Sequence, residues 1–247
     1  MIRDLRGRTF EFEYPPKRVV SLVPSLTESL FDLGSGDSVV GITDFCIFPE
    51  KLDRPRLGGT KNPRVDAIRA LKPDLVYMNL EENLERHAIA IEEFAPVFVT
   101  EPKTVPDVRD LITTLGEIHD RRTQAADFVR RLDRELASMP RRDFTFACPI
   151  WKQPWMWCGG DTYVSHLVES VGGRNVFASE SRYPVRDPKT VAADVVFLPD
   201  EPYAFTAQDG QDFSGRVIGP FPGHLFTWHG TRTLLGLRLL RDLFLLE

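Results

Sequence analysis

The chain is 247 residues long, 42% apolar and 27% charged, with a net charge of −5. That length accommodates one large core or two small ones, and the acidic balance gives no field attractive to phosphate backbones, so nucleic acid is not an expected partner. No apolar run approaches the roughly 18 residues of a membrane span, and the opening MIRDLRGRTFEFEYPP lacks the apolar stretch of a secretory signal. Met1 therefore reads either as the native start of a cytosolic protein or as a start from which a leader has been removed.

Arg8 to Glu13 alternates polar and apolar side chains and predicts an edge strand, stopped by Pro15-Pro16. Arg18 to Val23 is a short apolar run typical of a buried parallel strand. It leads into a helix bearing Leu26, Leu30 and Leu33, with Ser25 and Glu28 spaced as a capping box and Gly34 as terminator. Val39 to Ile42 predicts a second strand. Asn62 is placed to cap a helix that buries Val65, Ile68 and Leu71, before a third strand over Leu75 to Met78. A helix over Leu84 to Phe94 and a fourth strand over Pro96 to Thr100 complete an alternating pattern that predicts a parallel sheet with helices on both faces.

Thr104 to Met139 carries no strand signal. Ala125, Phe128, Val129, Leu132 and Leu136 fall on one stripe of a continuous helix, about 27 Å long at ~1.5 Å per residue. Arg121, Arg122, Arg130, Arg131 and Arg134, interleaved with acids, read as its solvated face. Beyond it, Phe144 to Ile150 predicts a strand, Asp161 to Val171 a capped helix, Val195 to Leu198 a strand, Asp200 to Gly223 an irregular loop, Leu225 to Thr227 a short strand, and Thr231 to Phe244 an amphipathic helix.

One pattern occurs twice. Asn62 to Met78 (NPRVDAIRALKPDLVYM) returns in shortened form as Asp187 to Leu198 (DPKTVAADVVFL), and each copy is preceded by a helix ending in glycine. A chain that builds one α/β unit twice predicts two Rossmann-like lobes with parallel sheets, joined by one long helix and enclosing a ligand cleft. The expected division is residues 1–103, a helical link over 104–140, and a shortened lobe over 141–247.

The segments RVVSLVPSLTESLFDLG, VVGITDF, NPRVDAIRALKPDLVYMN, the helix after Asn83, and MWCGGDTYVSHLVESVGGRNVF resemble the substrate-binding proteins of ABC importers for cobalamin, ferric siderophores and haem. Among these the pattern is most similar to the cobalamin-type members. The resemblance spans most of the first lobe and about half of the second. It implies an extracytoplasmic protein that captures a cobalamin-like, haem or ferric-siderophore ligand and delivers it to an ABC permease; a monomer without an intrinsic cofactor is the accompanying expectation. It also implies docking through one surface glutamate per lobe. Glu85 stands at the first such position, whereas the second falls at or beside Lys189, of opposite sign. An intracellular carrier or sensor without a transporter is the alternative reading.

In open parallel sheets ligands sit beyond the carboxyl ends of the strands. The segments there hold all four tryptophans and supply the candidate contacts Pro24, Phe45, Phe48, Lys61, Trp155, Trp157, Trp228 and His229. An aromatic-rich surface suits a large planar or macrocyclic ligand; the competing reading packs Trp155 and Trp157, two residues apart, into the lobe core. His229 is a candidate to ligate a metal centre or to bond a ligand carboxylate or amide. Lys61, Arg186 and Arg232 are candidate partners for ligand anions. His224 and His229 are five residues apart with no third donor, so no intrinsic metal site is expected.

Cys158-Gly-Gly-Asp161 ahead of a helix is the one catalytic-looking fragment. No base accompanies it and no G-x-S-x-G or phosphate loop is present, so catalysis is not expected. Cys46, Cys148 and Cys158 form no C-x-x-C. Their odd count points to a reducing compartment, with one disulfide plus a free thiol left open.

Overall fold

The computed structural model describes residues 1–245, and of Asp212 and Leu245 the backbone only. The chain divides into two compact units, Met1–Pro102 with Arg109–Arg130, and Lys103–Val108 with Arg131–Glu247. The segment expected as a link, 104–140, is thus apportioned to both.

The first unit holds four parallel strands, β1 (Val19–Ser21), β2 (Val39–Ile42), β3 (Leu75–Asn79) and β4 (Val97–Thr100), in the order β2-β1-β3-β4. Helix α1 (Pro24–Asp32) follows β1, α2 (Val65–Ala70) precedes β3, and α3 (Glu85–Glu92) precedes β4. Side chains alternate across the strands. One face of the sheet (Val20, Val76, Met78, Val97, Val99) is closed by Ile68 of α2 and by Ala88 and Ile91 of α3. Tyr77 on the opposite face packs against Phe98 at 5.8 Å between ring centroids, and its hydroxyl pairs with Nε2 of buried His119 at 2.9 Å.

Two long helices follow, α4 (Val105–Ile118) and α5 (Arg122–Ala137). Asp120, at φ 52°, lies between them. The predicted stripe is realised on α5, where Ala125, Phe128 and Leu132 are buried.

The second unit repeats the topology. Strands β5 (Phe144–Ala147), β6 (Gly173–Asn175), β7 (Val195–Pro199) and β8 (Arg216–Phe221) are parallel in the order β6-β5-β7-β8, the same order by position in the unit as in the first. Helix α6 (Tyr163–Glu169) precedes β6, and α7 (His224–Thr227) and α8 (Thr233–Leu245) end the described chain. The duplication read from sequence is therefore a duplication of topology. The two helix-ending glycines also match, Gly34 at φ 78° and Gly172 at φ 93°. At Gly34 the chain closes with Ser35 N donating to Leu30 O and Gly34 N to Phe31 O, the paired bonds of a Schellman ending that require a left-handed residue.

The copies differ in what covers the sheet. In the second copy α2 shrinks to a single 3-10 turn, Pro188–Thr190, whose Asp187 cap accepts from Lys189 N at 3.0 Å. The face made by Ala147, Val196 and Leu198, the counterpart of the Val76 and Met78 face, is closed by Trp157, Phe177, Val191 and Phe205, with Trp155 and Phe213 packed outside them. Rings take the place of a helix.

Several local expectations are corrected. Helix α1 starts at Pro24 with Val23 as N-cap and no side-chain capping bond, so Ser25 lies within the first turn. A proline at N1 already has helical φ and lacks the N–H that needs a cap. Asn62 lies in a two-residue antiparallel strand pair with Gly58–Gly59, and Arg64 caps α2. Thr162, not Asp161, caps α6, accepting from Ser165 N. Of Arg8 to Glu13 only Thr9–Phe10 is strand, paired with Ile2–Arg3. The stretch read as an irregular loop contains the edge strand β8, and Leu225 to Thr227 is helical. Gly and Pro at 219 and 220 hid that strand, because an edge position with a register shift beside it tolerates both.

Candidate functional site

At the carboxyl end of the first sheet, a buried hydroxyl and thiol cluster fixes the turn from β1 into α1. Thr27 Oγ1 donates to Ser21 Oγ at 2.9 Å and lies 3.2 Å from Cys46 Sγ, which is also 3.2 Å from Thr43 Oγ1. Burial pushes the Cys46 thiol pKa up, so it is a packed thiol and not a nucleophile. Pro24 is buried in the same turn and offers no contact surface.

A second device, which sequence reading missed, ties the carboxyl-end loops together. Asn83 Oδ1 accepts from Asn79 N at 2.7 Å, while its Nδ2 donates to Leu22 O at 3.1 Å and Thr60 O at 2.9 Å. Asn79 Oδ1 in turn accepts from Glu81 N at 2.8 Å. One amide thus joins the ends of β1 and β3 to the 58–63 hairpin. The only sequence signal was an asparagine four residues after a strand-terminal asparagine.

On this frame sit exposed apolar side chains. Phe45 is 59% exposed, with Ile47 at 52% and Leu80 at 47%. A Cβ at Gly59 would meet the Phe45 ring at 3.2 Å, so that ring rests on the hairpin carrying Lys61. Lys61 Nζ donates to Glu81 O and remains exposed. Phe48 is half-buried. Phe45, Phe48 and Lys61 are thus brought to one end of one sheet.

In the second unit the tryptophans part company. Trp157 is fully buried, its Nε1 donating to Arg186 O at 3.1 Å, and it serves as sheet cover; as a ligand contact it is corrected. Trp155 stacks on Trp157 at 5.7 Å and on Phe205 at 5.5 Å, with Phe213 edge-on at 5.7 Å, leaving it half-buried and largely engaged. The tryptophan that is open is Trp151, 43% exposed and edge-on to Tyr203 at 5.5 Å.

Trp228 is half-buried within a polar clamp at the carboxyl ends of β7 and β8. Its side chain hydrogen-bonds Glu201, the Arg232 guanidinium lies 5.5 Å from its ring centroid, and the His224 ring is 5.8 Å away. Arg232 Nη1 is 3.1 Å from His224 Nδ1; a guanidinium only donates, so His224 is neutral there and accepts. Burial and then Arg232 hold the His224 pKa down, while burial raises that of Glu201. His229 is buried with its ring edge-on to Tyr163, and burial lowers its pKa to about 4. Its ring fills a buried position beside Tyr163 and is neutral near pH 7. Arg186 is exposed and paired with Glu180.

Two depressions, about 430 and 420 Å³, lie at the amino ends of the two sheets. They are open, and their polar groups are already used: Asp194 accepts from Thr145 N, and Arg142 donates to Phe244 O. The carboxyl ends carry the stronger case. Among the described residues no group of three or more His, Cys, Asp or Glu side chains is placed to hold a metal ion, and no helix is long and apolar enough to cross a membrane.

Comparison with known proteins places these features in context. A vitamin B12-binding protein of Yersinia pestis is 29% identical over 178 residues, 68% of this chain and 62% of its own length. An uncharacterized ABC transporter substrate-binding lipoprotein, YvrC of Bacillus subtilis, is 25% identical over 194 residues, 73% of this chain and again 62% of its own. The chain therefore spans under two thirds of these relatives. The crystal structure of the periplasmic vitamin B12 binding protein BtuF of Vibrio cholerae superposes with a TM-score of 0.77 at 20% identity, over 93% of this chain and 96% of that one, and shows the same fold. A family model described as periplasmic binding protein matches residues 19–198, from the first strand of one sheet to the third strand of the other, and the chain belongs to that family.

Proposed function

We propose that this chain is the substrate-binding component of an ABC-type importer and captures a cobalamin-like or metal-chelate ligand, haem and ferric siderophores included, with the loops at the carboxyl end of its first sheet supplying a contact surface. The observation that carries the reading is that exposed Phe45, Ile47 and Leu80 and cationic Lys61 all lie on segments at the carboxyl end of one sheet, where Asn83 joins the ends of β1 and β3 to the hairpin on which Phe45 rests. Monomeric soluble proteins rarely display such apolar groupings without a partner for them. Exposed Trp151 and the clamped Trp228 supply flat apolar surface of the same kind in the second unit, suited to a broad ring system. The names of the relatives support the ligand class.

The test is to incubate the protein with cyanocobalamin, haemin and a ferric hydroxamate, desalt it, and record absorption spectra and melting curves. One chromophore is expected to co-elute and raise the melting temperature. If none co-elutes and none shifts the melt, the ligand class is wrong.

A second reading is favoured by one residue. Lys189 is exposed on the 3-10 turn where the resemblance expects a docking acid, while Glu85 is exposed in the first turn of α3. A cation facing transporter arginines repels them, which leaves a carrier or sensor without a transporter. Gain of transporter binding by Lys189→Glu supports the docking geometry; unchanged binding at a measurable level removes Lys189 as an obstacle.

A further inference from the structure

Cys148 and Cys158 face each other at the base of the hairpin that carries Trp151 and Trp155. The strands Pro149–Trp151 and Met156–Trp157 are antiparallel with Pro149 opposite Trp157, so the next pair outward is Cys148 with Cys158. The backbone agrees, since Cys158 N donates to Cys148 O at 2.9 Å. Facing residues in an antiparallel pair have Cα atoms about 4.5–5.5 Å apart, inside the window of about 4.4–6.8 Å that a disulfide spans. The two side chains are in hydrogen-bond contact, and both are free thiols, 1% and 0% exposed.

We propose that Cys148 and Cys158 are a disulfide site that closes the base of this aromatic hairpin when the chain folds in an oxidising compartment. The inference stands on the second unit alone and is independent of the ligand proposed above. Cys46, held by Thr27 and Thr43 in the first unit, is the thiol left over.

The oxidant is a small-molecule or protein disulfide. The thiolate of one cysteine attacks a sulfur of the oxidant, forming a mixed disulfide and expelling one thiolate. The second cysteine then attacks the first cysteine's sulfur and expels the other. Two protein thiols lose two electrons and two protons, and the oxidant disulfide becomes two thiols. Because both sulfurs are buried in the folded chain, and the Cys148 thiol is hard to ionise there, exchange takes place before the hairpin closes over them or during its opening. Once formed, the bond is shielded from reductants for the same reason.

The experiment refolds the full chain from denaturant with a glutathione redox couple, against a parallel sample kept in dithiothreitol. The oxidised sample is expected to lose about 2 Da, the two hydrogens of one disulfide. Trypsin should release Asp143–Lys152 joined to Gln153–Arg174, with Cys46 alkylated in a separate peptide. The melting temperature of the oxidised form should exceed that of the reduced form by about 5 °C. Cys46→Ser should retain the mass loss, and Cys148→Ser or Cys158→Ser should abolish it. Absence of the mass loss, or a linkage that includes Cys46, overturns the proposal, and this readout on the unmodified chain holds even where a variant fails to fold.

Discussion

Asn83 and His119 show how much a single buried polar side chain decides in this protein. Asn83 satisfies three backbone groups at once. Asn83→Ala leaves them without that partner and should lower unfolding free energy by about 2–3 kcal/mol, read from urea denaturation. Asn83→Asp should not restore it, because a carboxylate cannot donate to the Leu22 and Thr60 carbonyls. His119, buried against the Tyr77 hydroxyl, has its pKa lowered to about 4, chiefly by burial and then by Arg121. The unfolded chain protonates this residue near its ordinary value of about 6.5. The unfolded state therefore binds more protons below that pH: the stabilisation is complete above pH ~6.5 and is lost as pH falls toward ~4, by about 3 kcal/mol for one group. His229 adds a second loss over the same window and for the same reason. Replacing His119 by Gln should flatten the stability profile between pH 6.5 and 4 without abolishing it, as checked by denaturation across that range.

At the scale of elements, the second copy of the repeat substitutes side chains for a helix. Where α2 and α3 close the first sheet, a group of rings closes the second. Trp157→Ala should destabilise the second unit by about 3–5 kcal/mol, the cost of emptying a large core position. Trp151→Ala, on the open side of the same hairpin, should change stability by under ~0.5 kcal/mol. Melting curves of the two variants decide whether the rings are cover or contact. Helix α5 is tied to α8 by another device: buried Glu135 accepts from Arg241 Nη1 and from Arg238 Nε at 3.4 Å. The arginines are partly exposed, so solvent screens the pair, and Glu135→Ala should cost about 1–2 kcal/mol, measured by denaturation at low salt. The capping signals show where local reading stops. Ser25 and Asn62 have the right identities, but a proline at N1 starts the first helix before Ser25 and a two-residue strand pair delays the second until after Asn62.

For the molecule as a whole, the proposed role makes a distinction that stability cannot. Phe45→Ala should weaken ligand affinity by roughly 5- to 30-fold, the burial worth of about 1–2 kcal/mol for an aromatic contact, with the melting temperature of the ligand-free protein unchanged. Titration of a bound chromophore measures it, and an unchanged affinity removes Phe45 from the contact surface. The alternating strands, the parallel sheets, the duplication and the family were legible in the chain itself, because buried apolar runs, helix-ending glycines and a repeated motif are one-dimensional records of local physics. The same sheet order in both units, the edge strand β8, the ring cover of the second sheet and the sorting of tryptophans into buried Trp157 and open Trp151 were decided by tertiary structure alone. An aromatic residue gains free energy by leaving water whether the surface that receives it belongs to its own core or to a ligand, so composition near a strand end cannot tell the two apart; only the packing around each ring does.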